Sequence, residues 1–200
     1  ITGINLIPNS GNFDNITINV YGVKWIMSGS LIKIDEEIVS SAVASVTLTG
    51  IDSTFDVYMV RFNNVFTSAD DDMQIRVTTS GTADSDSEYD IASKDLKTSG
   101  AFGNTSGTNL TQWDFSAGIG TSGTNSHNGI MYLFNFNNSS EYSFVTMENA
   151  TMRNDATDEL FGFQGSGVHT VAETNDGINF FLVNGNNISG GTFKLYGLKK

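Results

Sequence analysis

The feature that most constrains this chain is a strict alternation of apolar and polar residues along many short segments. Met73, Ile75 and Val77 alternate with polar neighbours, and Val46 and Leu48 do the same. Because successive side chains of a strand point to opposite faces of a sheet, a period of two predicts strands with one buried face. The same pattern predicts further strands at 57–62, 143–147, 168–171, 178–183 and 193–198.

Four segments depart from simple alternation and predict other features. The run from Ile130 to Phe136 is nearly all apolar, which predicts a strand buried on both sides. Asn175–Gly177 separates two predicted strands with turn-forming residues and predicts a tight hairpin. The spacing of apolar residues over 34–45 fits either a short helix or an irregular strand. Residues 98–111 and 116–129 are rich in Gly, Ser, Thr and Asn, which predicts long loops.

Composition and charge support the all-β class and exclude several functions. Charged residues are only 16% of the chain, so it lacks the Glu, Lys and Arg that cover helix surfaces. The formal net charge of −12 repels phosphate backbones and anionic lipid, so no nucleic acid is expected as a partner. No run approaches the 18 or so apolar residues of a membrane span, so no membrane insertion is expected. The chain has no cysteine, which excludes disulfides and thiolate metal sites.

The two ends of the chain resemble each other. Gly3–Asn5 followed by Asn15–Lys24 parallels Gly177–Asn179 followed by Gly191–Lys199, and both copies end in Tyr-Gly, an apolar residue and Lys. This echo predicts that residues 1–24 close one β-unit, or form a docking arm, and that residues 25–200 form a β-sandwich domain. Because the chain begins with Ile1, we read it as a piece of a longer tandem array.

Two motifs carry a resemblance to a known class of proteins. Leu48–Tyr58 with the following Phe62–Val65, and the closing Gly190–Gly197, resemble strands of jelly-roll structural proteins of tailed bacteriophages, especially marine phages. The resemblance implies an antiparallel β-sandwich of jelly-roll type that acts in the extracellular virion as a fibre, appendage or head-surface component. It implies that the chain assembles into a homo-oligomer and contacts other virion proteins. A trimer is expected, because phage appendages are commonly trimeric. The alternative is a host-recognition module that binds cell-surface glycan.

Catalytic signatures are weak in this sequence. A Ser-His-Asp mechanism needs a histidine base, and the chain offers only His127, in a predicted loop, and His169, on a predicted strand. No G-x-S-x-G elbow is present. Gly118–Gly123 fits a dinucleotide fingerprint, but the polar residues that follow do not predict the helix which that site requires. We therefore expect a protein that is not an enzyme.

One acidic segment is a candidate metal site. Asp84, Asp86, Glu88 and Asp90 alternate with Ser85, Ser87 and Tyr89. Calcium takes six to eight oxygen ligands, and alternating carboxylates in a loop can supply several of them. The spacing is not that of an EF-hand. Calcium binding and a simple solvated acidic loop both fit the pattern, and no other cofactor is predicted.

Three aromatic residues in glycine-rich stretches are candidates for glycan binding. Phe102, Trp113 and Phe115 could stack on sugar rings if they were exposed. The same residues could instead anchor loops onto the sandwich, and this second interpretation is the one we favour.

Overall fold

Thirteen β-strands make up the regular structure of this protein in the computed structural model, which describes residues 30–100, 102–153 and 159–199. The predicted unit at 1–24 lies outside the described residues. The first of the two similar chain ends therefore has no described structure to compare with the second. Within the described ranges the only helical element is a 3-10 turn at Gly123–Asn125, and no helix there is long and apolar enough to cross a membrane. The strands are β1 (Leu31–Val39), β2 (Ser45–Thr49), β3 (Val57–Thr67), β4 (Met73–Thr79), β5 (Thr82–Ala83), β6 (Tyr89–Lys97), β7 (Gly103–Leu110), β8 (Trp113–Asp114), β9 (His127–Phe134), β10 (Tyr142–Met152), β11 (Leu160–Ala172), β12 (Gly177–Leu182) and β13 (Ile188–Leu198).

The strands form two antiparallel sheets packed as a sandwich, as the alternation predicts. The first sheet has eight strands in the order β1-β13-β3-β9-β10-β11-β6-β7. The second has the order β2-β12-β4-β5, and β8 also pairs with β4. The prediction of an all-β antiparallel sandwich is therefore confirmed.

The order of the strands is that of a jelly roll with an added wing. β1, β2, β3 and β4 alternate between the sheets, and β12 and β13 return between them. This leaves β1-β13-β3-β9 facing β2-β12-β4-β8, which is the eight-strand double Greek key of a jelly roll. The strands β10, β11, β6 and β7 extend the first sheet beyond β9 and form the added wing.

The core lies between the sheets and uses the side chains that the alternation placed on one face. Val46 and Leu48 of β2 are buried, as are Met73, Ile75 and Val77 of β4. Burying a side chain of this size stabilises the fold by roughly 1.5–3 kcal/mol. These short runs therefore fix which face of the second sheet turns inward.

One of the two alternatives for residues 34–45 is confirmed, and the predicted loop at 98–111 is corrected. Residues 34–45 form no helix, because β1 runs to Val39 as an edge strand with a bulge between Lys33 and Asp35. The irregular-strand alternative is therefore the right one. The predicted loop at 98–111 contains β7, which pairs with β6 through its backbone. Gly, Ser, Thr and Asn dominate β7, so this edge strand gives no apolar signal.

The predicted hairpin at Asn175–Gly177 is wrong. β11 pairs with β10 and β6 in the first sheet, whereas β12 pairs with β2 and β4 in the second. The segment is a crossing between sheets, held by the Asn175 amide donating to the Phe136 carbonyl at 2.7 Å and the Asp176 amide donating to the Thr78 carbonyl at 2.9 Å. Turn chemistry is local, so it does not specify which sheet the next strand joins.

Candidate functional site

The first candidate site is the outer surface of the first sheet, which we call the open face; it consists of the outward side chains of β3, β9, β10, β11 and β6. Met131 and Leu133 of β9 are fully buried, but Ile130 is 41% exposed and Tyr132 is 40% exposed. The prediction that 130–136 is buried on both sides is therefore wrong. An apolar run in this chain instead marks a strand with one face in the core and the other on the surface.

Exposed apolar side chains are concentrated on this side of the molecule. Among the described residues, eight of the eleven exposed large apolar side chains lie on β6, β9, β10, β11 or the turn after β6. A concentration of exposed apolar side chains on one side of a molecule favours an interaction site there. The eight are Leu96, Phe102, Ile130, Tyr132, Tyr142, Phe144, Met152 and Leu160.

The register of the strands sets polar residues beside the apolar ones. Ile130 lies between Arg61 on β3 and Glu148 on β10. Two shallow depressions with volumes of about 430 and 590 Å³ both include Ile130 and Glu148, so they join into one groove across the strands. Tyr132 and Gln164 line one end of this groove, and Gln164 donates a hydrogen bond of 2.8 Å from Nε2 to Glu148 Oε1.

The structure separates the three aromatic residues proposed for glycan binding. Phe102 is 68% exposed and lines an apolar depression with Leu96 and Leu160. Trp113 and Phe115 are fully buried, so neither ring offers a face to a sugar. Trp113 packs edge-on against Tyr89 at 5.1 Å between ring centroids. The loop-anchoring interpretation therefore fits Trp113 and Phe115, and only Phe102 keeps a surface for a ligand.

The second candidate site is the His169 cluster, defined as His169, Asp84, Glu88 and Glu173. His169 on β11 is fully buried, and its Nε2 lies 3.0 Å from Asp84 Oδ2 and 3.4 Å from Glu88 Oε2. Its Nδ1 lies 3.9 Å from Glu173 Oε1. The carboxylates are 15%, 32% and 28% exposed in the order Asp84, Glu88, Glu173, so solvent reaches the cluster from one side.

Backbone geometry explains how three separate segments meet at His169. The Asp84 amide donates to the Val77 carbonyl at 3.0 Å, which fixes the start of the loop before β6. The Thr170 amide donates to the Glu88 carbonyl at 2.8 Å, which ties the end of that loop to β11. The hydroxyl of Thr79 on β4 donates to Glu173 Oε1 at 3.0 Å. The cluster therefore joins the two sheets at one end of the sandwich.

The structure divides the four acidic residues of the predicted calcium loop. Asp84 and Glu88 turn toward His169. Asp84 caps the turn between them, with its Oδ1 accepting a hydrogen bond from the Asp86 backbone amide at 2.8 Å. Asp90 lies on β6 and accepts a hydrogen bond from the Asn109 amide of β7. Among the described residues Asp84 groups with His169 and Glu173 rather than with the other three carboxylates, and calcium binding by the acidic loop stays a prediction.

The electrostatics of the cluster follow from burial and like charge. Burial is the main cause that raises the pKa of Glu88, and the neighbouring charge of Asp84 raises it further. His169 opposes both effects by favouring the charged carboxylate. Burial also raises the pKa of Tyr89, whose ring lies 4.9 Å from that of His169.

His127 differs from its predicted place in a loop. It opens β9 and is fully buried, with its ring stacked on Phe62 at 5.0 Å. Neither ring nitrogen has a hydrogen-bond partner, and burial lowers the pKa of the imidazole to about 3. A neutral ring packed as an apolar group is therefore the state that this environment favours.

Comparisons with protein-family models, curated proteins and solved structures found nothing similar to this chain. The chemistry of the two candidate sites therefore carries the functional argument. The sequence did contain a signal for the open face. Ile130 and Tyr132 belong to a continuous apolar run, and Tyr132 carries a hydroxyl that suits a surface position. It contained no comparable signal for the His169 cluster, because Asp84 and His169 are 85 positions apart.

Proposed function

We propose that this protein is a non-enzymatic structural component of a tailed-phage virion that assembles through its open face. The sequence motifs described above supply the virion setting. The observation that carries the assembly role is the concentration of exposed apolar side chains on one half of the first sheet. Exposed apolar surface of this kind favours association with another protein surface.

The arrangement of charges on the open face favours a second copy of this chain as the partner. Arg61 and Glu148 flank Ile130 on the two strands next to β9. A two-fold axis along β9 would place Arg61 of one copy over Glu148 of the other. The same axis would bring Ile130 and Tyr132 against their own counterparts. Self-complementarity of this type is what a two-fold interface requires.

Light scattering after size-exclusion chromatography tests this assembly. The chain should be oligomeric at micromolar concentration, and Tyr132→Glu should be monomeric because the new charge would be buried in the interface. Val183→Glu is the matched control, because Val183 is 46% exposed and lies on another surface. A monomeric unsubstituted chain, or a Tyr132→Glu variant with unchanged mass, contradicts the proposal. The measured mass also separates a dimer from the trimer expected from the resemblance.

The virion setting needs its own test. Mass spectrometry of purified particles of the phage that encodes the chain should find this polypeptide at a copy number typical of structural proteins. Its absence from the particles, with abundant protein in infected cells, contradicts the setting without affecting the self-assembly result.

The polar lining of the groove favours a second function, recognition of a host-surface glycan. Tyr132 offers a partly exposed ring in the same depression as the amide of Gln164, and Arg61 lines the adjoining depression, a set of groups that suits the faces and hydroxyls of a sugar. Binding on a glycan array that Tyr132→Ala abolishes would favour this function. Phe102→Ala serves as the comparison, because it tests the exposed aromatic residue outside the groove. An array without signal rules this second function out for the glycans displayed.

A further inference from the structure

Neither neutral form of the His169 ring gives both ring nitrogens a suitable partner. A neutral imidazole has one N–H and one lone pair. With the proton on Nε2, the ring donates to Asp84, and the lone pair of Nδ1 faces Glu173 Oε1. With the proton on Nδ1, the lone pair of Nε2 faces Asp84 and Glu88. Each form therefore leaves a nitrogen lone pair opposite carboxylate oxygen, which a cation between them would relieve.

A second observation points to the same place. Nδ1 of the fully buried His169 has no hydrogen-bond partner. Its distance of 3.9 Å to Glu173 Oε1 is too long for a hydrogen bond. Two metal–ligand bonds of roughly 2.0–2.2 Å span about 3.3–3.6 Å at a tetrahedral angle and about 4.0–4.4 Å when the ligands are opposite one another. The gap is therefore of the size that a bound ion bridges.

Asp84 lies at Nε2, on the other edge of the ring from Glu173, so its carboxylate has to turn toward Nδ1 to bind the same ion. One oxygen of Asp84, one oxygen of Glu173 and one ring nitrogen of His169 lie within 4.8 Å of one another. Glu88 adds a further carboxylate beside the ring. Donors of the fold hold two of these carboxylates in position, since the Asp86 amide donates to Asp84 Oδ1 and the Thr79 hydroxyl donates to Glu173 Oε1.

We propose that His169, Asp84 and Glu173 form a site for a divalent metal ion of the zinc class. The mixture of imidazole and carboxylate ligands suits zinc and its first-row neighbours, whereas calcium prefers oxygen ligands alone. The ion fastens the loop before β6, strand β11 and the crossing to β12 to one another. It is a structural metal site at the end of the sandwich, and it is independent of the assembly proposed for the open face.

A rival explanation uses the same residues without a metal. An imidazole protonated on both nitrogens would also balance three carboxylates. The two explanations differ in what they require, since an imidazolium ring has no lone pair left for an ion. Metal binding and the protonation of the ring therefore separate them directly.

Calorimetric titration of the 200-residue chain, stripped with a chelator, with zinc chloride tests the proposal. We expect one zinc ion per chain and no saturable calcium binding under the same conditions. Glu173→Gln and Asp84→Asn should each weaken zinc binding by at least about tenfold. Asp86→Asn is the matched control, because Asp86 lies in the same loop but does not face His169, and its zinc affinity should equal that of the unsubstituted chain. His127 does not compete, because its ring stacks on Phe62 and no carboxylate of the described residues lies at either of its nitrogens.

A second measurement on the unsubstituted chain guards against variants that fail to fold. Nitrogen NMR of the two imidazoles should show a zinc-dependent change at one nitrogen of His169 and no change at His127. The proposal is overturned if no saturable zinc binding occurs, or if Glu173→Gln binds zinc as tightly as the unsubstituted chain. It is also overturned if both nitrogens of His169 stay protonated at pH 7 with excess zinc.

Discussion

His127 and His169 are equally buried, yet the fold treats them in opposite ways. His127 stacks on Phe62, and neither of its nitrogens has a hydrogen-bond partner. His169 packs against Tyr89 and has carboxylates at both ring nitrogens. Burial alone therefore does not decide what a histidine does. An apolar pocket makes the ring a packing group, and a pocket lined by carboxylates makes it a partner for charge.

The largest expected effect is the acid sensitivity that His127 gives the fold. Its pKa is lowered from 6.5 to about 3 when the chain is folded. As the pH falls below 6.5, the unfolded chain takes up a proton that the folded chain does not, so stability is lost between pH 6.5 and 3. At about 1.4 kcal/mol per pH unit, the loss reaches about 3 kcal/mol near pH 4.

Replacing His127 removes this loss. In urea unfolding at pH 7 and pH 4, His127→Phe should lose about 3 kcal/mol less than the unsubstituted chain over the same interval. Phenylalanine keeps an aromatic ring against Phe62 and has no nitrogen to protonate. An unchanged difference between the two pH values would show that His127 is not the group that titrates.

The next largest effect is expected at the other histidine. His169→Phe leaves Asp84, Glu88 and Glu173 facing an apolar ring, with their mutual repulsion uncompensated. Losing the hydrogen bond between His169 Nε2 and the charged Asp84 should cost roughly 1.5–3 kcal/mol. Urea unfolding at pH 7 in the presence of chelator measures it. His127→Phe under the same conditions should change stability by less than about 1 kcal/mol, because no hydrogen bond is lost. Equal losses in the two variants would refute the contrast.

The sequence predicted the parts of the fold in which a local pattern suffices. The alternation of Met73, Ile75 and Val77 identifies both a strand and its buried face. It fails where the outward positions are also apolar, as at Ile130 and Tyr132, because a two-sided apolar run does not distinguish a buried strand from an exposed interface. The residues at which the alternation fails are thus the ones that the proposed assembly through the open face uses.

The candidate metal site could not be located from the sequence because it depends on topology. The acidic residues 84–90 are visible as a pattern, but the pattern does not show that Asp90 turns toward β7 while Asp84 turns toward β11. Only the crossing of the chain between sheets brings Glu173 beside the same ring. Knowledge that β6 pairs with β11 would have been enough to bring His169 next to Glu88.

The smallest expected effect comes from two threonines, one paired with His127 across the strands and one bound to Glu173 of the His169 cluster. Thr151 is the cross-strand partner of His127, and its buried hydroxyl has no hydrogen-bond partner. Thr151→Val should therefore be neutral or stabilise the protein by up to about 1 kcal/mol, since the unsatisfied group is replaced by a methyl group of similar shape. Thr79 donates to Glu173, so Thr79→Val should destabilise by about 0.5–1 kcal/mol. Urea midpoints measured at pH 7 should fall for Thr79→Val and should stay unchanged or rise for Thr151→Val. A destabilised Thr151→Val variant would mean that the pocket of His127 is polar after all, and the contrast between the two histidines would then reduce to one of charge alone.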